Sequence, residues 1–287
     1  MSDIRLAGSR VSTWGEGPIW WNYSLYYVDI EKHLLIQYRP TTNNQQTWDI
    51  GERIGFAAPT DLNNIWIIGT DTGLYTFNLS NSDKQPIGDP ESNKPNNRFN
   101  DGKCSPDGHL FAGTISLVKE TGDAALYRLS KYDKQITVAY PNVTNSNGIV
   151  WNIAGDKCYY IDTPTQKILV FDYNNGELSH PKTLVDTTAT EGSPDGMTID
   201  SDGNLWVAFC HGSCVVNYNG QTGELIKTVD LPCLETTAVA FGGDDLATLY
   251  VTTGIHKTQV EELAGRVLTI NDLGVTGGPA SCFHLAE

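Results

Sequence analysis

Six short runs of aromatic and β-branched residues recur along this 287-residue chain at nearly constant spacing. They are residues 25–29 (LYYVD), 65–69 (IWIIG), 110–114 (LFAGT), 158–162 (CYYID), 205–209 (LWVAF) and 249–253 (LYVTT). Their starts are 40, 45, 48, 47 and 44 residues apart. Each follows a turn of the Asn, Asp or Gly kind, such as Pro106-Asp107-Gly108 or Ser201-Asp202-Gly203, whose residues tolerate the positive φ that hairpins need. A second alternating run follows each, at 34–38, 74–79, 126–129, 168–173, 215–218 and 267–270. Each unit therefore reads as a meander of about four strands. Such a meander buries a sheet face only against a copy of itself, so repetition at this period implies radial stacking. The expected fold is all-β: a six-bladed β-propeller forming a single domain over residues 1–287. The residues around Val11 are expected to pair with the last unit and close the ring. Residues 257–263 are the only helical candidate.

The repeat supplies a frame for function. About ten residues before each run comes the innermost strand, whose start faces the central channel. That slot holds Glu16, Gly55, Asn100-Asp101, Asn147, Asp195 and Thr236-Thr237. Four of these positions adjoin glycine, which permits close packing near a crowded axis. Two carboxylates and an amide without a thiolate suit a hard divalent cation such as Ca²⁺, Mg²⁺ or Mn²⁺, with Zn²⁺ left open. The competing reading is that these side chains only cap strand ends and turns. None of the six histidines (His33, His109, His180, His211, His256, His284) falls in the slot, and none is given a role.

Composition removes several function classes. The net charge of −15 argues against nucleic acid and against an anionic membrane face as partners. No stretch approaches the ~18 apolar residues of a membrane helix. The first residues lack a basic stretch followed by an apolar run, so no signal peptide is expected and the location is read as cytoplasmic. In that compartment the Asn-x-Ser/Thr sites at Asn22, Asn78 and Asn142 are chance, and the six cysteines are mostly buried free thiols. The pair Cys210 and Cys214 around His211 lacks a second ligand pair at zinc-finger spacing and is set aside as a metal site.

In sequence, the chain resembles the SMP-30/gluconolactonase/luciferin-regenerating-enzyme family, which includes regucalcin. The resemblance runs from about Thr13 to Gly274. It is carried by Gly15-Glu16-Gly17-Pro18-Ile19-Trp20, Asn97-Arg98-Phe99-Asn100-Asp101-Gly102-Lys103, Asn147-Gly148, Tyr160-Ile161-Asp162-Thr163, Ser193-Pro194-Asp195-Gly196-Met197 and Phe241-Gly242-Gly243, in order over six units. It implies one divalent cation in the channel (Ca²⁺, Zn²⁺, Mn²⁺ or Mg²⁺) held by Glu16, Asn147 and Asp195. It also implies substrate contacts from Arg98 and Asn100. The activity it implies is hydrolysis of a small sugar lactone to its acid. The alternative is a non-enzymatic, regucalcin-like metal-binding regulator. Residues 115–125 and 255–265 look shorter than in relatives, and the first of these contains Glu120 and Asp123 where a relative's loop carries a substrate-binding Glu.

Lactone opening is acyl transfer to water. A cation can stabilise the developing negative charge, and a carboxylate can orient or deprotonate the water. Asp195 is the expected catalytic group. No Gly-x-Ser-x-Gly elbow occurs, which argues against a covalent serine mechanism.

Overall fold

Successive side chains on a strand point to opposite faces, so a strand buried on both sides must be apolar at every position. The six runs have this character, and a computed structural model, which describes residues 3–286, shows why. In the strand Ser24–Asp29 all six residues are buried. Leu25 and Tyr27 pack into one cluster with Tyr250 and Val267, while Tyr26 and Val28 pack into another with Ala57 and Trp66. Each run is thus the middle of a sheet gripped by a neighbour on either side. Six hydrophobic clusters lie between consecutive sheets and run round the ring.

The described residues form 24 strands in six four-stranded antiparallel sheets, a six-bladed β-propeller. The inner strands of blades one to six are Gly15–Trp21, Ile54–Pro59, Asn97–Cys104, Ser146–Trp151, Ser193–Ile199 and Thr236–Gly242. Blades one to five are continuous meanders. Blade six takes its outermost strand from the other end of the chain: Asp3–Ala7 pairs with Val267–Asn271, from Asp3 opposite Asn271 to Ala7 opposite Val267.

The strand that completes the last blade is therefore Asp3–Ala7; the neighbours of Val11 do join that blade, through the Ser12 amide to the Gly265 carbonyl, the Ile255 amide to the Thr13 carbonyl and a bridge from Trp14 to Gly254, but they form no strand. Val11 is outside any strand and 41% exposed. The reason is distance. The outermost strand of a blade stands three inter-strand spacings, or ~14 Å, from the innermost. At ~3.3 Å per residue the chain needs several residues to return to the axis, and residues 8–14 make that crossing. Gly8 begins it with a φ of +74°. Residues 257–263 are also not helical; they form an irregular stretch of bends and turns. The helical content of the described residues is a single 3₁₀ turn, Thr163–Thr165, and no helix is long and apolar enough to cross a membrane. The six cysteines are free thiols, five of them buried.

The C-terminal segment runs beneath the ring at the end of the axis away from the slot residues. Gly277 bridges to Asp200, and Phe283, fully buried, packs between blades two and three. A cavity of about 410 Å³ lies there, lined by Trp20, Lys103, Trp151, Phe241 and the segment itself.

A chain starting at Gly8 should keep its blades but leave Val267–Asn271 as an open edge. Its melting temperature should fall by several degrees, and the transition should broaden. An unchanged melt would show that Asp3–Ala7 does not hold the ring shut.

Candidate metal centre at the channel mouth

Every inner strand breaks register with its neighbour at the slot positions. The shifts fall between Glu16 and Ile19, Ile54 and Phe56, Phe99 and Asp101, Asn147 and Ile149, Pro194 and Met197, and Thr236 and Ala238. A bulge leaves a residue unpaired and re-aims nearby side chains. Six bulges at one height turn the slot residues toward one mouth of the channel. The inner strands also crowd one another there. A Cβ on Gly148 would sit 2.6 Å from the Asp195 carbonyl oxygen, and one on Gly55 would sit 2.5 Å from the Asn100 carbonyl oxygen. Glycine is required at both by this backbone approach.

The acids brought together are buried, and for Glu16 and Asp101 the nearby charges of Arg98 and Lys103 do not offset the effect of burial. Glu16 is 8% exposed, and its Oε2 accepts a bond from the Gly17 amide at 3.0 Å. Burial, reinforced by the Asp101 charge, pushes its carboxyl up to about 8. Asp195 is buried and also raised well above the ordinary carboxylate range, first by burial and then by Glu16, Asp101 and Glu235. Its Oδ1 has no hydrogen-bond partner. An orphaned buried carboxylate oxygen between other acids is a poor final state for a protein and a good ligand for a cation.

Asn147 faces the same space, and its orientation is dictated. Arg98 Nη1 donates to Asn100 Oδ1 at 2.9 Å. Asn100 Nδ2 donates to Asn147 Oδ1 at 3.0 Å. Asn147 Nδ2 donates to Thr163 Oγ1 at 2.6 Å, and Thr163 Oγ1 donates to the Pro194 carbonyl at 2.9 Å. Because the Thr163 hydroxyl proton is already given to Pro194, its oxygen must accept from Asn147. The amide oxygen of Asn147 is thereby turned away from Thr163, with one lone pair left after Asn100. The donor set of Glu16, Asn147 and Asp195 is all oxygen and fits a hard divalent cation.

The remaining slots serve other ends. In blade six, Thr237 Oγ1 donates to the Gly15 carbonyl at 2.6 Å and ties the last blade to the first. Asp101 accepts from the Gly102 amide, and burial raises its carboxyl too. Arg98 is buried; burial and Arg53 lower its guanidinium to about 10, so it stays charged at neutral pH. Its Nε has no partner within the protein.

The sequence and the fold have close parallels. Residues 14–255 match the sequence profile described as the SMP-30/Gluconolactonase/LRE-like region. The chain belongs to the SMP-30/gluconolactonase/LRE-like family. It is 36% identical over 252 residues to the Bacillus subtilis (strain 168) protein named "Putative sugar lactone lactonase YvrE", covering 86% of each chain. It is 34% identical over 276 residues to regucalcin of Danio rerio, covering 92% of each. A solved luciferin-regenerating enzyme superposes with a TM-score of 0.93 at 28% identity, covering 99% of this chain and 100% of that one.

In this SMP-30/gluconolactonase/LRE-like chain the frame missed neighbours that reach the mouth from its rim. Glu235, one residue before the blade-six slot, is buried and meets Cys210 Sγ at 3.1 Å and His211 Nδ1 at 2.9 Å. His256 Nε2 lies 3.7 Å from the same carboxylate. The histidines do lie outside the inner strands, as expected; they follow the second strands of blades five and six. The signal that could have found them is the end of those strands, which abuts the start of the inner ones. Thr163 ends the motif Tyr160-Ile161-Asp162-Thr163, and its bonds to Asn147 and Pro194 leave no trace in the spacing. On the short loop after the strand Leu110–Ser116, Glu120 is exposed, and Asp123 pairs with Lys94 at 3.1 Å.

The raised Glu16 carboxyl has a pH consequence. Between about 4.5 and about 8 the folded, metal-free protein holds a proton that the unfolded chain has released. The native state then binds more protons, so stability falls as pH rises through that window. Metal-free protein should melt lower at pH 8 than at pH 5. Glu16→Gln should raise the pH 8 melt, with the gain vanishing toward pH 4.5. Equal wild-type melts at both pH values in chelator would contradict the buried-acid account.

Proposed function

We propose that this chain is a cytoplasmic, divalent-metal-dependent lactonase that opens a sugar lactone to its hydroxy acid. Glu16, Asn147 and Asp195 hold the cation, and Arg98 and Asn100 face the substrate. The observation that carries this reading is the partnerless Asp195 Oδ1, buried beside a second acid and an amide oxygen locked in place. The relatives' names, sugar lactone lactonase among them, agree with it.

A cation bound there supplies Lewis-acid polarisation of the lactone carbonyl. The chain's own residues do the rest. Arg98 has committed Nη1 to the Phe99 carbonyl and Asn100, and the remainder of its charged guanidinium binds a substrate oxygen. Asn100 spends its Nδ2 on the protein and meets the substrate with the second lone pair of Oδ1. The Asp195 carboxylate oxygen not engaged with the cation accepts a proton as water attacks the carbonyl carbon. The bond to the ring oxygen breaks, and that oxygen takes up a proton as the alcohol. Water is consumed, and the products are one carboxylic acid and one hydroxyl on the same molecule. Burial keeps bulk water from competing for these bonds.

Removal of divalent metal should abolish hydrolysis of aldonolactones and lower the melting temperature; Ca²⁺, Mn²⁺ or Zn²⁺ should restore both to different degrees. The assay is proton release in weak buffer, corrected for spontaneous opening. Full activity after verified metal removal would end the metal-dependent reading. A metal-dependent melt without turnover on any lactone would instead favour the regucalcin-like binder.

Asp195→Asn retains an oxygen ligand but loses the base. With saturating metal its turnover should stay down by ~10² or more. Recovery to wild-type rate would leave Asp195 as a ligand only. Arg98→Lys should raise KM, because an ammonium lacks the guanidinium's rigid fork of donors. Wild-type kinetics in that variant would take Arg98 out of the substrate site.

A further inference from the structure

A second group of metal-competent side chains converges on the same mouth, outside the axial oxygen set. Cys210 ends the strand Leu205–Cys210, His211 follows it, and Glu235 comes just before the strand Thr236–Gly242. Cys210 Sγ is 3.1 Å from Glu235 Oε2, and His211 Nδ1 is 2.9 Å from Glu235 Oε1. All three donor atoms lie within 4.8 Å of one another. The Glu235 side chain is 1% exposed. Its ionic partners among the described residues are His211 and His256, which carry charge only when protonated; no Lys or Arg pairs with it. A buried carboxylate with other acids close by, and no fixed cation, calls for positive charge.

From this geometry we infer that Cys210, His211 and Glu235 form a second cation site, of the zinc class, separate from the all-oxygen set on the axis. One thiolate, one imidazole and one carboxylate make a donor set that zinc favours and that calcium or magnesium does not. Zinc bonds of ~2.3 Å to sulfur and ~2.0–2.2 Å to nitrogen or oxygen put tetrahedral neighbours about 3.3–3.7 Å apart. The two donor pairs that involve Glu235, at 3.1 and 2.9 Å, stand within a few tenths of an ångström of that spacing, and the third lies within 4.8 Å.

In the metal-free protein, burial and the charges of Asp195 and Glu235 keep the Cys210 thiol protonated. Binding breaks the S–H bond, forms a sulfur–metal bond and releases the proton to solvent. His211 ligates as neutral imidazole through Nδ1, with its proton on Nε2. That ring is 57% exposed, so its far nitrogen is free to carry the proton. His256 Nε2, 3.7 Å from Glu235 Oε1, borders the fourth position. None of this depends on the lactonase reading or on the axial ligands.

The test uses full-length protein stripped of metal and reloaded with Co²⁺ or Zn²⁺ alone. Wild type with Co²⁺ should show a sulfur-to-cobalt charge-transfer band in the near-ultraviolet. The Glu16→Gln/Asp195→Asn double variant should retain it. Cys210→Ser should abolish the band, and Cys210→Ser and His211→Ala should each weaken zinc binding at this site at least about 100-fold. The zinc count by mass should drop by one per chain in each. No band in wild type, or a band surviving Cys210→Ser, overturns the inference. Loss of the band in the double variant merges the two sites and overturns it equally. If Cys210→Ser fails to fold, His211→Ala at the exposed rim decides, since an unchanged zinc affinity there removes the site.

Discussion

Six backbones converging on one axis impose the constraint on which the rest of this structure depends. At the channel mouth neighbouring inner strands come so close that a single added Cβ at Gly55 or Gly148 would meet a carbonyl oxygen. Regular pairing does not survive this crowding, and each inner strand bulges at the same height. The bulge frees the slot side chains from the alternation that would otherwise bury them between blades. Close approach and re-aimed side chains thus have one cause. The apolar blade interfaces make the ring rigid enough to hold these positions.

The same convergence concentrates charge. Glu16, Asp101, Asp195 and Glu235 each influence Asp195 or its neighbours, and desolvation is the largest effect on the three of them that are raised. Without the cation, burial holds these acids toward their protonated form, so binding a cation releases protons and adds stability in one event. A hydrogen-bond chain opposes disorder in the ligands. From Arg98 through Asn100, Asn147 and Thr163 to Pro194, each donor points the same way round the mouth. No amide in it can flip without breaking two bonds. The rim cluster of Cys210, His211 and Glu235 uses different chemistry at the same mouth, with a soft donor in place of a third oxygen.

How much was legible in the chain follows from which forces act locally. The middle strands are apolar at every position because they are buried on both faces, so the six runs are plain in the sequence. Their spacing located the inner strands, and with them Glu16, Asn147 and Asp195 as one set. The contact of residues 12–14 with the last blade was foreseen, but the strand Asp3–Ala7 was missed because it is amphipathic and outermost, with two of its five residues exposed and little pattern to read. Residues 257–263 carry a helical composition but have no blade face to pack against, and propensity alone does not hold so short a helix. Glu235, His211 and His256 escaped the frame because they sit at strand ends and in the connections beyond them, where neither alternation nor repeat spacing applies.

By itself the sequence determined the number of blades, their all-β character and which segments form the innermost strands. These follow from hydrophobic periodicity, which is a property of consecutive residues. The tertiary structure alone decided which atoms those residues present. The free oxygen of Asp195, the enforced amide of Asn147 and the meeting of Cys210 with Glu235 across 25 positions all arise from contacts between blades. Spacing along the chain carries no information about such contacts, because the bulges that create them come from crowding at the axis, and crowding exists only once the ring is closed.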